Sequence, residues 1–344
     1  MARVASLDLL RGLAALTVAI PHFFVYNLDQ PGVLETISVL AVEVFFVLSG
    51  FVLAPQILFC AERGSIRTLL RFLTRRWMRT LPPFVLSLLL ISVLFNELPS
   101  DDFWRYLFFV QNLWRQINAN DYFSIAWSLS IEEWFYVCFP VFFLLLSGGL
   151  GPTGRHGPLA IALVWIVTIT LLRSLFADFD DWGAEVRRVV LFRIDSIAYG
   201  FLLFIFMERI LVRGSCAVLF LLLVLSSVAG FEAAEHAAAG NLAAKQLYPF
   251  AAASFGMLAL AFFRAASPAV ERFAFLRRLS LFLGRVSYSI YLFHLAFLYL
   301  VHQYCAAFTP LAQFALYVAL TVAYATFLFY FFERPILAAR PRLE

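Results

Sequence analysis

Arg11 and His22 share one apolar segment, LDLLRGLAALTVAIPHFFVY. Both are residue types that cost free energy in hydrocarbon unless paired or hydrated. Eleven residues at 100° each return to within about 20° of the same helix face, about 16 Å further along the axis. That separation suits neither a salt bridge nor a shared metal. It does allow the two side chains to line one wall of a single cavity, guanidinium at one end and imidazole at the other. An imidazole so placed is either a general base for attack by a hydroxyl or a residue tied into helix packing. Pro21 withholds the donor for the Thr17 carbonyl, so a kink just before His22 is expected, with a polar group freed there. Asp8 stands one turn before Arg11.

Further chemistry-bearing residues recur along the chain. Glu43 lies in AVEVFFVLSGFVLA at about the depth expected for His22. Its carboxylate either fixes the imidazole tautomer, as in acyl-transfer bases, or is hydrogen-bonded at the interface. Ser49-Gly50 in the same stretch lets a second helix approach closely. After it, RGSIRTLLRFLTRRWMRTLPPF reads as a loop in which Arg67, Arg71 and Arg75 repeat at every fourth position, followed by Arg76 and Arg79. Anionic lipid headgroups explain such a cluster. A phosphate-rich ligand such as coenzyme A explains why every cation is arginine, whose planar fork grips phosphate at two points.

The block AWSLSIEEWFYVCFP places Trp127, Ser128, Ser130, Glu132, Glu133 and Tyr136 at the outer mouth of a span. It is either an interfacial aromatic belt or a sugar-binding surface, with Trp127 or Trp134 to stack and Glu132 and Tyr136 on one face. Arg193 and Asp195 are embedded in FRIDSIAYG, and Tyr288 and His294 in GRVSYSIYLFH. Glu333-Arg334-Pro335 closes the last apolar run.

The elements that must position these groups are membrane helices. Of the 344 residues, 63% are hydrophobic and 14% charged, with a mean hydropathy of +0.87. Soluble domains have about 45–50% and about 25%. No core of this size hides so much apolar surface, and 40 phenylalanines press the same point. The apolar runs are of helix-spanning length, not the ten-residue alternations of a barrel, and the first is too long and lacks the cleavage site of a signal peptide. Ten spans fit, at about 7–26, 36–58, 80–96, 124–146, 159–177, 189–207, 215–231, 248–263, 283–304 and 312–332. Phe103–Leu113 is too short to cross and is expected as an interfacial or re-entrant helix.

With the N-terminus inside, the arginine-rich segments 59–79, 264–282 and 333–344 are all cytoplasmic, as the positive-inside rule requires. Arg11, Arg173, Arg193 and Arg285 remain within or at the edges of spans. The expected fold is therefore an all-α polytopic transmembrane bundle with both termini cytoplasmic, residues 1–344 forming one integral-membrane domain. Cys60, Cys138, Cys216 and Cys305 are scattered and read as buried free thiols, with neither disulfides nor a metal site expected. Arg11…His22 and Arg285…His294 echo each other, but the spacings differ and no inverted repeat follows.

Taken in order, the blocks LDLLRG…H, VEVFFVLSGF, RRWMRTLPPF, WSLSIEEWFYVCFP, RIDSIAYG, SYSIYLFH and FERP resemble the membrane-bound acyltransferase family 3. The likeness runs from about Leu7 to Pro335. It implies an enzyme that takes an acyl group, usually acetyl, from cytoplasmic acyl-CoA and delivers it to a carbohydrate hydroxyl across a bacterial inner membrane. The roles it carries over are essential ones for Arg11 and His22, and CoA binding for Arg76 and Arg79, with Arg75 adjoining. Glu43 stands where an aspartate is common. No hydrolase-like domain is appended, so no second acyl-handling site is expected.

The mechanism expected is direct transfer. Arg76 and Arg79 hold the phosphates, Arg11 lines the passage, and His22, oriented by Glu43 or another buried carboxylate, takes the acceptor's proton. Arg11, Ser130, Tyr136 or a backbone N–H stabilises the oxyanion; an acyl-histidine intermediate is the variant. Expected partners are the bilayer, acyl-CoA and a carbohydrate such as lipopolysaccharide, exopolysaccharide or peptidoglycan; nucleic acid is not one. A transporter of an acylated glycan or anionic solute is the alternative, and a non-catalytic scaffold the third class.

Overall fold

The computed structural model describes residues 4–26, 32–117, 121–150, 156–177, 182–210, 216–238 and 242–343. Among them there is no β-strand. The chain runs α1 (Ala5–Tyr26), α2 (Gly32–Arg63), α3 (Ile66–Leu94), α4 (Asp101–Leu107), α5 (Ala126–Leu150) and α6 (His156–Phe176). A π-helical turn, Trp182–Arg187, leads into α7 (Val190–Arg193), α8 (Ser196–Ile210), α9 (Cys216–Ala238), α10 (Leu242–Ala265) and α11 (Ser267–Arg272). Then follow α12 (Ala274–Tyr304), α13 (Pro310–Leu328), a second π turn (Phe329–Glu333) and α14 (Arg334–Ala338).

Nine of the described helical segments are long and apolar enough to cross a membrane. They correspond to nine of the ten expected spans. The tenth, 215–231, falls in α9, several of whose side chains lie outside the described residues.

Two glycine contacts set the centre. A Cβ on Gly12 would lie 2.3 Å from Leu283 Cβ, and one on Gly284 would lie 2.5 Å from Asp8 Cβ, so α1 and α12 meet backbone to backbone. A Cβ on Gly50 would stand 1.8 Å from the Ile197 carbonyl oxygen, and one on Gly200 would stand 1.9 Å from that of Val47, which locks α2 against α8. Such crossings exchange side-chain bulk for close van der Waals packing, the main attraction between helices in lipid. Tyr317 Oη ties α13 to α1 by donating to the Ala19 carbonyl at 2.7 Å.

Several expectations are corrected. The arginine-rich stretch after α2 is not a loop: α3 begins at Ile66, well before residue 80, and continues through Pro82 and Pro83. The fourth-residue arginine spacing is helical periodicity, which hydropathy masks because the charges lower it. The interfacial helix is shorter than expected, ending at Leu107, with Arg105 paired to Asp102 at 2.7 Å. Pro21 lies inside α1, which runs to Tyr26 as the expected first span does. Cys60 is a buried free thiol, whereas Cys138 and Cys305 are only half-buried; the side chain of Cys216 lies outside the described residues.

Candidate active site

Arg11 and His22 line two cavities rather than one. The larger holds about 970 Å³ of empty space, solvent at its mouth included, and is lined by Arg11, Arg76, Arg79 and Arg340 together with Glu132 and Tyr136. The smaller, about 510 Å³ on the same measure, is lined by His22, Glu35, Trp127, Arg187 and Arg188. Val42 and Tyr291 line both and form the wall between them. Tyr291 is held there by Ser128, 2.6 Å between hydroxyl oxygens, and donates to the Ile125 carbonyl at 3.2 Å.

In the larger cavity four guanidiniums face one carboxylate. Glu132 accepts from Ser49 at 2.5 Å and from Tyr136. Arg76 donates to Gln56 at 2.7 Å, leaving its Nε–H buried and unpartnered. Arg11 lies 4.0 Å from Asp8. Arg75 does not line the cavity; it donates to the Pro341 carbonyl. Tyr288, on the opposite wall, donates to the Thr80 carbonyl at 2.9 Å.

His22 Nδ1 lies 2.7 Å from the Val18 carbonyl oxygen. A carbonyl only accepts, so Nδ1 carries the proton and Nε2 keeps its lone pair. The ring packs against His294, centroids 5.1 Å apart. His294 repeats the arrangement, with Nδ1 2.7 Å from the Tyr291 carbonyl and Nε2 buried without a partner. The faint echo in the sequence thus has a spatial meaning: Gly12 packs on Leu283 and Gly284 on Asp8, and ten residues beyond each glycine stands a histidine of the pair.

The carboxylate expected beside His22 is engaged elsewhere. Glu43 is buried against Arg193, which also donates to Ser196 at 3.1 Å. Asp195 takes both branches of Arg173 at 3.2 Å each. Glu333 accepts from Ser289.

The block expected at a single outer mouth is divided along α5. Trp127 lines the His22 cavity, while Glu132 and Tyr136 line the arginine cavity. A rise of 1.5 Å per residue carries them about 7 and about 13 Å further along the helix. Ser130 lies behind both, fully buried under the Gln111 amide at 2.5 Å.

Sequence reasoning did not single out Glu35, Arg187, Arg188, Tyr291 or Arg340. Arg187 pairs with Glu35 at 3.0 Å and its guanidinium sits 5.7 Å over the Trp127 ring. Arg188 pairs with Asp121 at 2.6 Å. Burial, and then the neighbouring Arg188, lower the Arg187 pKa. The signal available was two adjacent arginines on the side the charge rule leaves poor in them.

Residues 4–330 match the acyltransferase domain of the acyltransferase 3 model. The chain belongs to that family. Relatives of this chain include a Staphylococcus aureus (strain COL) protein named "Putative O-acetyltransferase", 32% identical over 161 residues, 42% of this chain and 26% of the relative. The peptidoglycan O-acetyltransferase OatA of Listeria monocytogenes is 30% identical over 159 residues, 41% of this chain and 24% of the relative. The chain thus spans about a quarter of the length of the curated relatives it matches. No solved structure matches it significantly.

Proposed function

We propose that this acyltransferase moves an acetyl group from acetyl-CoA to a hydroxyl of a cell-envelope or exported carbohydrate. The observation that carries the reading is the pair of cavities: one arginine-rich, one holding an imidazole with a free lone pair, sharing the Val42–Tyr291 wall. Arg76 and Arg79 bind the donor's phosphates, and Arg11 lines the way toward the shared wall. Guanidiniums suit phosphate oxygens because each offers two parallel N–H donors.

His22 Nε2 takes the proton from the acceptor hydroxyl as its oxygen attacks the thioester carbonyl. The new O–C bond forms, the C–S bond breaks, and the imidazolium returns its proton to the departing thiolate. Proton and leaving group balance without a further reactant. Arg187 and Arg188, each held by a carboxylate, line the His22 cavity with fixed polar groups for the acceptor's hydroxyls. Glu43, buried against Arg193, joins α2 to α7 rather than acting on His22.

The test is release of free CoA and labelling of a glycan acceptor by acetyl-labelled CoA, using the full chain in nanodiscs. His22→Ala lowers turnover at least about 100-fold, the ordinary worth of a general base. Near-full transfer by that variant would overturn the assignment of the base. Label appearing on the protein in the absence of acceptor would replace direct transfer by an acyl-histidine route.

A further inference from the structure

Arg340 lies outside the stretch that matches the family, yet it lines the arginine cavity with Arg11, Arg76 and Arg79. The segment that carries it is fastened at several points. Arg75, on α3, donates to the Pro341 carbonyl, Leu343 packs against the main core, and Arg340 Nε donates to the Leu337 carbonyl at 3.1 Å. These contacts hold residues 340–343 against α3, so the Arg340 guanidinium is delivered to the cavity by backbone anchors.

What the cavity lacks is negative charge. Four arginines line it and Glu132 is the only carboxylate among its lining residues, already accepting from Ser49 and Tyr136. The Nε–H group of Arg76, which lines the cavity, is buried with no partner. Arg340 lies outside the spans, and burial, then the nearness of Arg79 and Arg75, lower its pKa. Like charges so close repel in a medium of low dielectric constant. Unpaired buried donors add to the cost. A ligand carrying several phosphate charges relieves both.

We infer that Arg340 is a donor-binding residue, held over the arginine cavity by residues 340–343 to close a phosphate-binding ring with Arg76 and Arg79. The inference rests on the donor reading above and adds a residue and a segment to it. Its chemistry requires only a polyphosphate anion; the thioester end of the donor never meets Arg340.

The experiment compares wild type, Arg340→Gln, Arg340→Lys and Arg272→Gln, an exposed control, as full chains in nanodiscs. Acetyl-CoA and acetyl-pantetheine, which has the thioester but not the nucleotide phosphates, are the two donors. Arg340→Gln raises the KM for acetyl-CoA about 10-fold, as loss of one charge-assisted contact should, and Arg340→Lys recovers part of it. Values for acetyl-pantetheine and for Arg272→Gln stay at wild type. A merely structural role would shift both donors together, and that outcome overturns the inference, as does an unchanged KM for acetyl-CoA. If wild type binds no acetyl-CoA, the donor reading fails first. Inorganic pyrophosphate titrations then decide: binding weakened by Arg340→Gln sustains the ring, and its absence in wild type refutes it.

Discussion

Glu43 and Arg193 show how a residue legible in sequence acquires its role only from its neighbour. Depth along a helix is readable, because residues count off at 1.5 Å each; which way the side chain turns across the bundle is not. The sequence puts Glu43 at about the depth of His22 and leaves its role open between the imidazole and the interface; α2 turns it toward a partner 150 positions away in the chain. Both side chains are fully buried, and Glu43 Oε2 and Arg193 Nη1 have no further hydrogen bond. Removing one partner leaves an uncompensated charge, at a cost of about 3–5 kcal/mol, whereas replacing both by apolar groups of like volume is often neutral. Glu43→Leu and Arg193→Met should therefore each lower the thermal midpoint in detergent, and the double variant should restore it. Acetyl transfer by the double variant at close to the wild-type rate fits a pair that only joins helices. A stable double variant without activity would return Glu43 to the chemistry.

At the scale of elements, the helices were legible and their crossings were not. Nine of the ten expected spans follow, in order, from apolar runs that only lipid can solvate, and α3 begins earlier than hydropathy places it because arginines depress hydropathy without disturbing helix. Ser49-Gly50 marked a close approach, but nothing local to it named Gly200 as the counterpart. The divided cavity was hidden for the same reason: Tyr291 becomes a wall only when α12 lies beside α1 and α5. The Gly50–Gly200 crossing carries a direct prediction. A methyl at Gly50 meets a backbone carbonyl at 1.8 Å, which no rotamer relieves, so α2 and α8 must separate. Gly50→Ala should cost about 1–3 kcal/mol, the usual range for overpacking, and loosen the Glu43–Arg193 contact two turns away. Gly230, where the nearest atom to a new Cβ is Leu40 Cδ2 at 3.6 Å, should accept alanine with no loss. Equal melting of the two variants would show that the crossing tolerates more space than its geometry allows.

With the donor and acceptor proposed above, the two cavities must open on opposite faces of the membrane. Acyl-CoA is made in the cytoplasm, and envelope glycans are completed beyond it, so the proposed reaction requires the arginine cavity inside and the His22 cavity outside. The distribution of charge agrees, since Arg63 ends α2, Arg67, Arg71, Arg75, Arg76 and Arg79 fall in the first half of α3, and the last two line the larger cavity. Phe275, at the start of α12, and Phe308, between α12 and α13, then lie on opposite sides of the bilayer, because α12 crosses it once. Both are exposed, at 74% and 53%. In a chain with Cys60, Cys138, Cys216 and Cys305 replaced by alanine, Phe308→Cys should react with a membrane-impermeant maleimide in intact cells. Phe275→Cys should react only after lysis, with a contrast of at least about 10-fold in each direction. The reverse pattern would put the arginine cavity outside, away from any cytoplasmic thioester, and the donor reading would fall with it. Labelling of both sites in intact cells would instead remove α12 from the spanning set, and with it the wall that Tyr291 builds between donor and base.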